Sequence, residues 1–431
     1  MKKILLYLIS IVILNACSDE IPEYHQSARA KRVVLAYLVA NNNLDNYIMK
    51  NVQWMYQSLS TAQDTCTLVV YYKPYSSNKY LETAEILEFQ TDGYGKINGQ
   101  EILQGTSLTV ENVIAQAKHH QARLGIATDP DIMKENLRMM QDIAPAESYG
   151  LIFGSHASGW LPSPTAVQSR SFGWDGIQSN TIDIPELATT LEQSFPTGNL
   201  EFTLFDACMM GTAEVFYELR NATHYCVASV METPVAGFPY DRFFINLYDK
   251  YIDYAKICSE TVQFNKENNW WGTYAAVDCT AMEEVAQAIQ AELNSHLSEL
   301  QTLDYTQVQQ YGYDQYKYFS FDVVDFISQL NGGVVSANVQ SSIDKAVIAK
   351  DCLDGKEYPL VTLRIDPERF CGWVCISPTE ISAIRGTDTI SPPSHGITLP
   401  GGMKYNPNQF ISSVLLSVAA SSKAGYVRIV P

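Results

Sequence analysis

Along this chain apolar, β-branched and aromatic residues come in continuous runs, not in alternation with polar ones. The runs are RVVLAYLVA (32–40), CTLVVYY (66–72), YGLIFGS (149–155), LEFTLFDA (200–207), HYCVASV (224–230) and GTYAAVDC (272–279). A strand covered on one face alternates; a strand buried on both faces does not, and such strands belong to mainly parallel sheets wrapped by helices. Between the runs the apolar spacing changes to three and four. IPELATTLEQSF stacks Leu187, Leu191 and Phe195, GTAEVFYELRN groups Val215, Phe216 and Leu219, and the segment 281–300 repeats Met282, Val285, Ile289, Leu293, Leu297 and Leu300. Alternating strand and helix predicts an α/β fold: a mainly parallel sheet flanked by helices on both faces.

The two ends depart from this rhythm. MKKILLYLISIVILNACSDE carries two lysines, an apolar run from Ile4 to Leu14, then Asn15, Ala16 and Cys17, the order of an export signal too short to span a membrane. Its end resembles a bacterial lipobox, which implies cleavage before Cys17 and lipid on the Cys17 sulfur. The acidic SDE that follows is similar to the tether of outer-membrane lipoproteins. The chain then divides into a signal (1–16), a tether (17–30), a catalytic-sized domain (31–300) and a C-terminal extension packed on the core (301–431). That extension holds the tyrosine-rich YGYDQYKYFSFDVVDF, the loop SPPSHGITLPGGM, and short strand candidates near 358–377 and 424–430. The implied location is the cell envelope, with the chain lipid-anchored at the outer membrane, on its surface or periplasmic side.

Composition narrows the partners. Acidic residues number 47 against 29 basic, a net charge of −18, which repels nucleic acid and favours cationic ligands. Removing Cys17 from the nine cysteines leaves eight, mostly inside strand-like runs, as expected of buried thiols and not of a disulfide framework. No cysteine pair has zinc spacing with histidines, so no transition metal is assigned. The chain reads as a monomer that meets the membrane only through its lipid.

In wound sheets the functional groups gather at the carboxyl ends of strands. Two runs end at such groups: GLIFGSHASGW at His156 and LEFTLFDACMMG at Cys208. A cysteine attacks as thiolate, and a histidine within reach can take its proton and return it to a leaving amine. Histidine about 50 residues upstream of cysteine is the caspase order, opposite to that of papain-like enzymes.

YGLIFGSHASGW, FGWDG with IDIPELATTL, and LFDACMMGTAEVFYELRNATHYCVASVMETPVAGFPYD resemble successive blocks of the clostripain family of cysteine peptidases, and LAYLVANNNLDNY (35–47) resembles its first strand and loop. The match is close from about 145 to 245 and too thin to use beyond about 300. The resemblance implies a caspase-like fold and cleavage of protein or peptide substrates after arginine or lysine. It places Asp206, two residues before the nucleophile, in the specificity pocket, a role compatible with capping the helix that starts near Met209. Separately from the resemblance, Glu232 in the loop after the next strand is a candidate second acid for that pocket, a solvated loop residue being the alternative. The oxyanion falls to the backbone N–H groups of Ala157 and Cys208, and zymogen self-cleavage to Arg170, the one basic residue from Ala157 to Leu219 before Arg220.

The chain departs from the family where a glycine usually follows the histidine. Alanine keeps the N–H but resists positive φ, so lower activity or a differently shaped loop is expected. Some members need calcium; the chain has no EF-hand loop and no calcium site is assigned. No third member of a triad is evident. Two other readings stay open at this point: a catalytically silent surface lipoprotein that binds basic peptides or glycans, and an amidase using the same dyad.

Overall fold

The computed structural model describes residues 32–159, 171–177, 180–300, 302–311, 320–354, 364–376, 397–398 and 404–405. The signal, the tether, Cys17, Arg170, most of the loop at 391–403 and the strand candidate at 424–430 lie outside the described residues.

Nine strands form one sheet. In chain order they are β1 (Arg32–Val39), β2 (Thr67–Lys73), β3 (Glu85–Gln90), β4 (Lys118–Gln121) and β5 (Ser148–Gly154), then, after a two-stranded hairpin of β6 (Ser171–Asp175) and β7 (Asn180–Asp183), β8 (Leu200–Asp206), β9 (Tyr225–Ser229), β10 (Thr273–Asp278) and the edge strand Val347–Cys352. The spatial order from that edge strand is β10, β9, β8, β5, β1, β2, β3, β4. The centre is parallel from β9 through β8, β5 and β1 to β2, and two antiparallel strands close each side.

The burial pattern explains the continuous apolar runs. Along β1, Val33, Leu35, Tyr37 and Val39 face one core while Val34, Ala36 and Leu38 face the other. The first core is roofed by helices Pro130–Ile143, Ile184–Ser194, Ala213–Glu218 and Met282–Ser295, the second by Asp45–Leu59 and Tyr254–Glu267. The strands formed by the six apolar runs are therefore covered on both faces, and every run read from the sequence is a strand of this sheet.

One helix differs from its periodicity. The stripe from Met282 to Leu300 is broken into Met282–Ser295 and Leu297–Leu300, because the ring of His296 turns back on the Glu292 carbonyl at 3.0 Å and reaches Asn331 Oδ1 at 3.1 Å. Beyond residue 300 the chain supplies helix Ala337–Ala346 and the edge strand, and these are bracketed in sequence by Ser320–Asp322 and Val374–Ile376, which pair antiparallel as a small two-stranded sheet. Asp322 ties this region together, accepting hydrogen bonds from Tyr311 Oη at 3.0 Å and the Cys371 N–H at 2.7 Å. No helix among the described residues is long and apolar enough to cross a membrane.

Candidate active site

The site is set by strand register. Gly154, the last residue of β5, pairs in parallel with Asp206, the last residue of β8. His156 and Cys208 each lie two residues past that pair, just beyond adjacent strands and at the same end of the sheet. Their loops also touch. Gly159 adopts φ +59°, and a Cβ there would overlap the carbonyl oxygen of Met209, so only glycine lets the histidine loop close on the residue after the cysteine. Met209 itself has φ +60°, a sharp turn at the candidate nucleophile that is uncommon outside glycine.

The loop after β9 completes the site. Met231 O accepts from the Met209 N–H at 3.0 Å, Thr233 Oγ1 donates to Ala207 O at 3.1 Å, and Trp271 Nε1 holds Glu232 O at 2.7 Å. Further along, Asp206 Oδ2 accepts from the Phe238 N–H at 3.3 Å and from Tyr240 Oη at 3.0 Å. Gly237 has φ +69°, and a Cβ there would overlap both oxygens of the Asp206 carboxylate. Asp45–Leu59 braces this loop through Asn51 Nδ2 to Ala236 O at 2.8 Å.

Electrostatics follow from burial. Burial pushes the Asp206 carboxyl up to about 6, against the two hydrogen bonds that favour its charged form. Burial pushes the Cys208 thiol up to about 12; a hydrogen bond from the Thr233 backbone acts the other way, and the Glu232 and Asp206 carboxylates add to the rise. Burial holds His156 below its ordinary value. The resting pair is thus a neutral thiol and a neutral imidazole, with acidic groups beside the sulfur.

Ala157 forms an isolated antiparallel bridge with Phe172, in which Gly173 N donates to His156 O at 2.9 Å and Ser158 N to Ser171 O at 3.0 Å. That pattern leaves the Ala157 N–H pointing away from Phe172. Among the described residues, neither the Ala157 N–H nor the Cys208 N–H is given to another acceptor. Ala157 is not at positive φ, so the strain expected of an alanine in this loop is absent.

Two neighbours of His156 were not read from the sequence. Asn43, in the loop after β1, places Oδ1 2.6 Å from His156 Nε2, an acceptor that fixes which ring nitrogen keeps its proton. Trp174 sets its ring 5.0 Å from the imidazole. The one available signal for Asn43 was its position at the carboxyl end of a central strand. Among the described residues no group of three or more His, Cys, Asp or Glu side chains could hold a metal ion.

Comparison with known proteins bears on the family and the fold. The sequence model of the clostripain family matches residues 36–355. Clostripain of Hathewaya histolytica is 23% identical over 235 residues, 51% of this chain and 43% of that protein, so the chain spans less than half the length of this relative. An inactive zymogen of a C11 protease from Parabacteroides distasonis superposes with a TM-score of 0.60 at 22% identity, covering 81% of this chain and 92% of that one. A secreted C11 cysteine protease from Bacteroides thetaiotaomicron, iotapain, gives 0.63 at 20% identity over 81% and 94% of the two chains. A structure of a secreted C11 cysteine protease from the same organism in complex with an irreversible peptide inhibitor gives 0.61 at 20% identity over 84% and 95%. These structures share the fold expected from the sequence, and with the family match over most of its length the chain belongs to the clostripain family.

Proposed function

We propose that the chain is a cysteine endopeptidase that cleaves peptide bonds after arginine or lysine. The observation that carries this reading is the register that sets His156 and Cys208 two residues past the paired Gly154 and Asp206, with the Asp206 carboxylate on the same strand as the sulfur. Asp206, joined by Glu232, holds the guanidinium or ammonium of the substrate in a partly desolvated pocket where an uncharged side chain would leave buried charge unpaired.

The same cation prepares the nucleophile. With no substrate, two carboxylates raise the thiol; a positive side chain set against them offsets that push and favours the thiolate. His156 takes the thiol proton, the Cys208 sulfur bonds to the carbonyl carbon, and the oxyanion is met by the N–H groups of Ala157 and Cys208. The carbon–nitrogen bond then breaks, His156 giving its proton to the leaving amine, and water hydrolyses the acyl-enzyme and restores the thiol.

Arg170 is the proposed site of self-cleavage that activates the chain, and a lipid on Cys17 its anchor to the outer membrane. Incubation with an arginyl or lysyl peptide electrophile, followed by intact-mass measurement, tests the dyad: one adduct that maps to Cys208 is expected, and no adduct, or labelling shared among other cysteines, contradicts the reading.

A further inference from the structure

Trp174 is displayed beside His156 by a strand fixed on every side. Its neighbours Phe172 and Asp175 point inward and are buried, whereas Trp174 is 42% exposed. Its backbone N–H bonds to Ser155 Oγ at 3.1 Å and its carbonyl accepts from Asn42 Nδ2 at 2.9 Å. One residue on, Asp175 takes Asn41 Nδ2 at 2.6 Å and the Ala127 N–H at 2.5 Å. The indole N–H is used within the turn, donating to Gly176 O at 3.0 Å. What remains toward solvent is a rigid apolar ring face, tilted 50° to the His156 ring. A large, preorganised aromatic held open in this way offers binding area at low entropic cost.

Sheet order says which part of a substrate meets it. Asp206 on β8 and the loop after β9 form the acidic pocket on one side of the sulfur. His156 after β5, Asn43 after β1 and the tethered Trp174 lie on the other side. The basic side chain occupies the first side, and the amine that His156 protonates leaves toward the second. We infer that the Trp174 indole is the seat for an apolar side chain on the substrate residue immediately after the scissile bond, an inference that rests on the peptidase reading above.

The test uses internally quenched peptides with arginine before the bond and Leu, Phe, Gly or Asp after it, cut by the wild-type chain and by Trp174→Ala, Trp174→Phe and Cys208→Ala. The wild type is expected to favour Leu and Phe over Gly and Asp by on the order of tenfold in kcat/KM. Trp174→Ala should shrink that ratio to about twofold or less, and Trp174→Phe should keep most of it. The readout is the ratio, so a general loss of rate in Trp174→Ala does not decide the matter. A wild type without preference, or a preference that survives in Trp174→Ala, overturns the inference; the second result would make Trp174 a packing partner of His156 alone. Turnover across the series that is equal in wild type and Cys208→Ala, or absent from both, instead overturns the peptidase reading on which the inference stands.

Discussion

Asn43 Oδ1 accepts from His156 Nε2 at 2.6 Å, across 113 residues of sequence. With Nε2 given to Asn43, the proton exchange with the thiol in the proposed mechanism falls to the other ring nitrogen. Asn43→Ala is expected to lower kcat/KM roughly tenfold to a hundredfold with little effect on stability, the cost of a misplaced catalytic ring. Asn43→Asp puts a carboxylate at Nε2 and raises the histidine pKa, so the acid limb of the kcat/KM profile should move to higher pH than in wild type, where burial holds His156 low. Unchanged rate and profile in both variants would remove Asn43 from the site.

Asp206→Asn should trade function for stability. The wild-type carboxyl titrates near 6 in the folded chain, above its value when unfolded, so the protonated form is the favoured one. Its stabilising effect is complete below the unfolded value and is lost as pH rises through about 6. At neutral pH the asparagine variant should therefore be more stable by about 1–3 kcal/mol, visible as a raised Tm, while losing turnover of arginyl and lysyl peptides. Wild-type kcat/KM on those peptides should rise as pH passes through about 6.

The same substitution removes one of the charges that raise the Cys208 thiol. Alkylation by uncharged iodoacetamide should consequently be faster in Asp206→Asn than in wild type at a given pH, the opposite of its effect on peptide turnover. Slower or equal alkylation would separate Asp206 from the sulfur.

Two glycines should respond differently. Gly159→Ala meets the Met209 carbonyl and should lower kcat by displacing the nucleophile loop; Gly237→Ala presses on the Asp206 carboxylate and should act first on KM for basic substrates. Each strained backbone should also cost about 1–3 kcal/mol, which thermal unfolding measures.

Support for the cysteine comes from far along the chain. Val374 N donates to Gly211 O at 3.1 Å, and the buried Trp373 ring lies 5.9 Å from Phe216, in the helix that follows the nucleophile. Trp373→Ala should cost about 3–5 kcal/mol and lower activity with it; an unchanged Tm would show that the segment is not part of the support.

These residues mark where the sequence could be read and where it could not. The six apolar runs became strands because burial on both faces leaves a signature within each run; His156 and Cys208 stand where such runs end, whereas Asp206 was named only by the family resemblance. β3, β4 and the edge strand Val347–Cys352 carry polar residues at the sheet margins, where that signature fades. Asn43, Trp174 and Trp373 act through contacts between distant segments, and nothing in local periodicity pairs Asn43 with a histidine 113 residues away. The alanine at 157 was a legible departure from the family pattern, but its backbone angle, which decides whether that departure matters, was not.

The central claim is tested most directly by incubating residues 18–431 beside Cys208→Ala, following intact mass together with hydrolysis of arginyl, lysyl and aspartyl fluorogenic peptides. The account predicts chain cleavage after Arg170 and turnover of the arginyl or lysyl peptide only, both absent from the variant. Turnover that survives in Cys208→Ala, or a wild type that prefers the aspartyl peptide, would contradict it.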